Sequence, residues 1–511
     1  MKERPSGFWY ENFELPEDSY PPRSRYVRSG YYSREPSRYR GPRRNPNSAR
    51  NIGIAALLIA VGLGAIYDHS STKTQSYANP VKSQAAASAV AGKAGLDKPL
   101  PCPSGAVHVS PDSTPGIQAN TNYCFDGTYN NLTIAPQNND GFFGLGDTVM
   151  NGDNSTAAAF QPNGAVSDVV INGFELQDYS TPVHYQSPGV INFHDGGSEI
   201  TISDNTIGPD SASAIAFSGP GVCNSACSTQ YSVGVNHSLI THNLIHDIGY
   251  SGTTISFGTD DTVSYNDVSK TDLFGSDTED DVAAVGKFAV DEDTDVDGNY
   301  IHDNNDTAMW FDVNDTSSTI KENRVGPNNR VGIFYEISTN AVISDNYIFD
   351  NGQEDAGHAL GAPGAGIRIS SSGSADDSPQ YGNSPPRPGP ESIKISDNKL
   401  VGNHEGITLF DGHKNGDGSD IFVNSTNVSG NCTIGDATPS TENDSDAWLA
   451  HNSPSGHDNI WQGNIYVGLD SSEAFALNDG TTSYSGWQEN GLDMASSDSS
   501  YREAAGASAT C

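Results

Sequence analysis

The sequence is short of several things, and each shortage removes a class of protein. Six cysteines in 511 residues are too few for a disulfide scaffold, and none lies in the Cys-x-x-Cys spacing of a zinc site. Cations are scarce: 26 Lys and Arg stand against 64 Asp and Glu, a formal charge of -38, which excludes nucleic acid as a partner because phosphate binding needs clustered bases. No amphipathic stretch of helical period is long enough to build a bundle. Hydrophobic residues make up only 35%, so a chain of this length needs either several domains or an elongated array whose core grows along one axis.

The few cations are unevenly placed. Residues 1–50 hold 11 Lys/Arg and 6 Asp/Glu, a balance of +5, so the other 461 residues carry -43. The basic segment is rich in Arg, Tyr, Pro and Ser without periodicity and reads as a disordered tail. After it comes the one long apolar run, Ile52 to Tyr67, IGIAALLIAVGLGAIY. At about 1.5 Å per residue it spans roughly 24 Å, and the uncharged residues that follow extend it towards the ~30 Å of a bilayer. The expectation is a single transmembrane signal-anchor over 51–70, with the tail cytoplasmic and the rest outside the cell membrane. The alternative is secretion after signal cleavage in the Ala-rich stretch. Residues 71–100 read as a linker. All six cysteines follow the apolar run, as an oxidising compartment allows. The simplest pairing joins neighbours: Cys102 with Cys124, Cys223 with Cys227 and Cys432 with Cys511.

What is abundant is a repeat. Asn recurs just before a short apolar pair, in INGFEL, SDNTIG, THNLIH, SYNDVS, DGNYIH, KENRVG, SDNYIF, SDNKLV, SGNCTI and QGNIYV, at positions 172, 205, 243, 266, 299, 323, 346, 398, 431 and 464. Three gaps are 23 or 24 residues and the others are that unit plus an insertion, the signature of a solenoid. Runs of period two, such as Glu199 to Ser203 and Gly366 to Ile369, mark strands, and Gly, Asn and Asp between them mark sharp turns. Asn suits such a turn because it tolerates the left-handed conformation and its amide can bond along a ladder. The sequence thus predicts an all-β chain, a parallel β-helix of three-strand coils over 101–470. Residues 471–511 form a cap, with Trp461, Tyr466, Phe475 and Trp487 as the cover over the last coil.

On these residues the chain resembles the right-handed parallel β-helix proteins that include pectate lyases and many carbohydrate-active enzymes. The likeness covers roughly residues 100–470, and CPSGAVHV and CFDGTYNNLTIAP near its start are similar to that family's first coils. It implies right-handed winding and a polysaccharide or oligosaccharide partner; fold alone assigns no activity.

Register points to one constellation. Asp312 lies 11 residues before Asn323 and Glu336 lies 10 before Asn346. With Met309, Phe311, Ile333 and Tyr335 inward, Trp310 and Asp312 point outward beside Phe334 and Glu336 of the next coil. Strands about 4.8 Å apart would bring the two carboxylates to roughly 5–6 Å, the range of a retaining glycosidase. Trp310, expected to be exposed, would offer a sugar ring a flat face. Lys287 should stack near Trp310, Arg368 near Phe334 and Ser370 near Glu336, completing a set of substrate contacts. The pair also resembles that of β-helix glycoside hydrolases such as the β-xylosidase family, which implies Asp312 as nucleophile and Glu336 as acid/base, with no cofactor required.

Other readings remain beside this one. A polysaccharide lyase or epimerase would use Lys287 or Arg368 as a base, although a -43 region repels a uronate polymer. A glycan-binding or structural surface protein needs no reaction at all. Asp293, Asp295 and Asp297 before Gly298 match the start of a calcium loop and suggest a structural calcium, but the twelfth position is Asn304 rather than Glu. His246 and His302, each three residues after a ladder Asn, are expected to serve turn hydrogen bonding. A monomer is expected.

Overall fold

The computed structural model describes residues 99–503 apart from 114–115, 181–188, 219–233, 274–282, 313, 353–363, 372–388, 411–412, 415–419, 436–449, 453–457, 469–473, 478–479 and 494–499. The basic tail, the apolar run and the linker lie outside this range. No helix among the described residues is long and apolar enough to cross a membrane.

Short strands of period two wind into three long sheets of 14, 13 and 11 strands. Successive coils add one parallel strand to each sheet. The first sheet runs from Val107–Val109 to Ile460–Gln462 and the second from Thr128–Asn130 to Ser500–Glu503. The third begins at Gly189–Phe193. This is the predicted parallel β-helix. Its core grows along the axis by stacking like on like: Ile202, Ile240, Val263, Val296, Ile320 and Ile343 are successive partners in the first sheet, and all are buried. β-Branched side chains fill such a pleated row well.

The turns explain the wealth of Asp and Asn. Between the first and second sheets each coil passes through one residue in the left-handed region, such as Asp204, Glu322, Asp345 and Asp397 at φ 54–59°. The next residue is the ladder Asn. Asn299 donates its Nδ2 to Asn323 Oδ1 at 3.0 Å and to Val263 O at 2.9 Å, while Asn323 Oδ1 also accepts the Asn299 backbone N–H. The ladder runs from Asn205 to Asn464 and ends on buried Asp493. Asn172 is not part of it. It pairs with Ser203, and Phe174 holds the ladder position, its N–H donating to Asn205 Oδ1. A second ladder, Asn304, Asn328, Asn351 and Asn403, lies five residues further on in each coil.

At the C-terminal end the helix α1 (Tyr484–Glu489) buries Trp487 against Trp461 and Phe475, ring centroids 5.0 and 5.2 Å apart. The expected aromatic cover is therefore present. Cys102 and Cys124 are bonded, with Cα atoms 5.9 Å apart. Cys432 is also in a disulfide; Cys223, Cys227 and Cys511 lie outside the described residues.

Candidate functional site

Six strands of the third sheet carry the candidate residues: β1 (Thr253–Ser256), β2 (Ala283–Ala289), β3 (Thr307–Asp312), β4 (Ile333–Glu336), β5 (Ala365–Ser370) and β6 (Glu405–Phe410). Met309, Phe311, Ile333 and Tyr335 face the core. The alternate residues therefore form two outward rows. One row is Lys287, Trp310, Phe334 and Arg368; the other is Ala289, Asp312, Glu336 and Ser370. The register read from the Asn spacing holds at every one of these positions.

The side chains form one continuous network. Lys287 Nζ lies 3.3 Å from Asp312 Oδ2 and 3.9 Å from the centre of the Trp310 ring. Trp310 stacks on Phe334 at 5.3 Å, and its Nε1 donates to Glu336 Oε2 at 2.8 Å. Beyond Phe334 comes the Arg368 guanidinium, 5.7 Å from that ring and 4.7 Å from Phe410. Burial pulls Arg368 below the usual guanidinium range, while the Glu405 and Glu336 carboxylates oppose this. Thr408 Oγ1 donates to Glu405 Oε2 at 2.6 Å.

Two expectations change. Trp310 is not an open platform: it is 6% exposed, because same-row side chains on parallel strands stack, and Lys287 and Phe334 occupy its neighbourhood. Arg368 is sealed among the Phe334 and Phe410 rings and the two glutamates rather than presented to solvent. Glu405 was missed by sequence reasoning, although EGITLF repeats the Gly-Ile of GIRIS and GIFYE and is in register with them. Lys287 and Asp312 keep 15% and 12% side-chain exposure, so water still reaches that end of the network.

The backbone leaving this sheet is strained. Phe257, Val290 and Ile337 stand at φ 63°, 64° and 41°, a region that β-branched and bulky residues seldom adopt. Ile337 directly follows Glu336. Such outliers cost about 1–3 kcal/mol each and gather where geometry must be held for a purpose.

The remaining candidates fall elsewhere. Asp295–Asp297 is a strand, with Asp295 exposed and Asp297 4.0 Å from Lys321. A strand spreads alternate side chains instead of curling them around a cation, so the calcium-loop match is not a loop. Among the described residues no three His, Cys, Asp or Glu gather as a metal would need. His302 bonds Asp303 at 2.7 Å and Asp267 at 3.1 Å. Burial would lower its imidazolium, but these two carboxylates outweigh that and hold it above the usual range. His246 bonds Asp247 at 2.8 Å. Both histidines serve turns, as expected.

The three parallel sheets, together with the family match over the site, identify the described chain as a right-handed parallel β-helix. The family described as "Right handed beta helix region" matches residues 286–384, which include Lys287, the carboxylate pair and Arg368. Among solved structures, the chain is similar to XylC in complex with xylose, at 15% identity and a TM-score of 0.40 over 63% of this chain and 55% of that one. The chain thus spans about half the length of that protein. It is also similar to PfbA, a surface adhesin of Streptococcus pneumoniae, at 11% identity, TM-score 0.39, covering 70% of this chain and 81% of that one. A third is the A-module of the Azotobacter vinelandii mannuronan C-5 epimerase AlgE4, at 12% identity, TM-score 0.36, covering 61% and 86%. No curated protein matches the sequence.

Proposed function

We propose that the chain is a carbohydrate-active β-helix protein in which Asp312 and Glu336 are the carboxyl pair of a retaining glycoside hydrolase. The observation that supports this is the direct opposition of the two residues on neighbouring strands, Asp312 with Lys287 against it and Glu336 with the Trp310 indole N–H on Oε2. An ammonium beside a carboxylate favours its ionised form, which a nucleophile needs. In the first step Asp312 attacks the anomeric carbon as Glu336 passes its proton to the departing glycosidic oxygen. In the second, Glu336 takes a proton from water, which displaces Asp312 and releases the sugar with its original anomeric configuration. Neighbouring strands lie about 4.8 Å apart, a spacing that suits carboxyl groups on opposed residues to the roughly 5–5.5 Å separation of this class. The reading keeps the solenoid outside the cell, tethered through 51–70 or released by cleavage in the Ala-rich stretch that follows.

The test is hydrolysis of a panel of aryl glycosides. Asp312→Ala and Glu336→Ala are each expected to lower kcat by about a thousandfold, with the fold intact by circular dichroism. Azide should restore turnover in both variants and give glycosyl azides of opposite anomers. Products absorbing in the ultraviolet through a new C=C bond would instead identify a lyase, and retention of glycans without turnover a binding protein. Either result overturns the hydrolase.

A further inference from the structure

The turn leading from the third sheet to the first contains a ladder built of acid. Asp261, Asp291 and Asp315 are 2%, 1% and 0% exposed. Each Oδ1 accepts a backbone N–H from the preceding coil: Ser238 at 2.8 Å, Gly258 at 2.6 Å and Asp291 at 2.7 Å. Ser338 Oγ ends the row by accepting the Asp315 N–H at 3.1 Å. Asp261 comes from the neighbouring register position and uses space that only a glycine leaves, since a Cβ on Gly258 would collide with its Oδ2. The Oδ2 atoms of all three aspartates are buried without a hydrogen-bond partner. The same is true of Thr294 Oγ1 and Ser318 Oγ, at the register position of Asp261 in the next two coils.

The asparagine ladders of the same molecule show what is missing. In Asn328, Oδ1 accepts the Asn304 N–H just as the aspartates accept theirs, while Nδ2 donates to Ile301 O at 3.2 Å and Asn351 Oδ1 at 2.9 Å. An ionised aspartate fills the first role and has no hydrogen for the second. A neutral one has it. We infer that Asp261, Asp291 and Asp315 carry their protons in the folded protein, and that this stack is a pH-dependent lock on the coils behind Asp312 and Glu336.

The surroundings agree. The charged or titratable groups facing the stack are Asp260 beside Asp261, Asp312 beside Asp315, and Tyr335, whose hydroxyl lies 3.5 Å from the Asp315 carbonyl. Glu292 and Asp293 follow it in the chain. The nearby cations sit on other acids, His237 3.1 Å from Asp260 and Lys287 3.3 Å from Asp312. Burial pushes Asp261 up to about 8 and Asp291 up to about 7. It also raises Asp315 well above the usual carboxylate range, with Asp291 and Asp312 adding to the effect. A folded value above the unfolded one, about 3.9, means that the stabilisation is complete below pH ~4 and is lost as pH rises through 7 to 8.

The experiment uses the full chain and is independent of any catalytic activity. Infrared difference spectra at pH 7, wild type minus Asp315→Asn, should show a protonated-carboxyl band that the variant lacks. Urea midpoints from pH 5 to 9 should fall steeply for wild type and much less for the triple variant D261N/D291N/D315N, which supplies the missing donors permanently. If the triple variant does not fold, Asp291→Asn alone should flatten the profile in part. The proposal fails if wild type shows no such band at pH 7. It also fails if sodium, potassium or calcium raises the alkaline midpoint of wild type and not of the variants, since a cation would then hold the stack.

Discussion

Val290 is a β-branched residue at φ 64°, half-buried, at the position where the next coil has Asn314 at φ 67°. Its strain costs about 1–3 kcal/mol, and Asn tolerates the same conformation at little penalty. Val290→Asn should therefore stabilise the protein by about 1 kcal/mol, read as a higher urea midpoint. No such relief is available at Ile337, whose side chain is buried and would leave a cavity. The same scale separates the two basic residues of the site. Lys287 keeps some contact with water beside Asp312, whereas Arg368 is buried against the Phe334 and Phe410 rings.

At the scale of the element, each asparagine works for two coils. Asn323 Oδ1 accepts from the Asn299 N–H and Nδ2, and its own Nδ2 donates to Val296 O, Lys321 O and Asn346 Oδ1. Asn323→Ala would leave buried donors and carbonyls unpaired, each worth about 1–3 kcal/mol. The expected loss is about 3 kcal/mol, measured as a drop in the denaturation midpoint. A surface Asn such as Asn163 should show almost none of it. The ladder also explains why the site register was readable: a fixed bonding row leaves no freedom to slip, so residues counted back from Asn323 and Asn346 had to meet. Where an Asn is not in the row, as at Asn172, a count from it would miss by two residues.

Across the whole molecule, a solenoid has two ends that must be closed. Here the first ladder terminates on Asp493, which accepts from Asn464, Tyr466 and Trp487. Trp487→Ala is expected to destabilise by about 3–5 kcal/mol and to expose open sheet edges, seen as concentration-dependent light scattering. Charge is also a property of this scale. Among the described residues many acids face solvent, yet Asp261, Asp291, Asp315 and Glu405 are buried. Composition carries the sign of a charge and nothing about its depth.

The sequence by itself determined the coil, its period, the direction of each strand residue and hence the meeting of Asp312 with Glu336 and of Lys287 with Trp310. These follow from local patterns that repeat, because stacking identical units fixes every neighbour along the axis. Depth was decided only by tertiary structure. Whether Trp310 is open or covered, which oxygen of Glu336 receives an N–H, and whether an aspartate in a turn points to water or into an acid ladder depend on side chains from other coils. No spacing within one coil records those contacts.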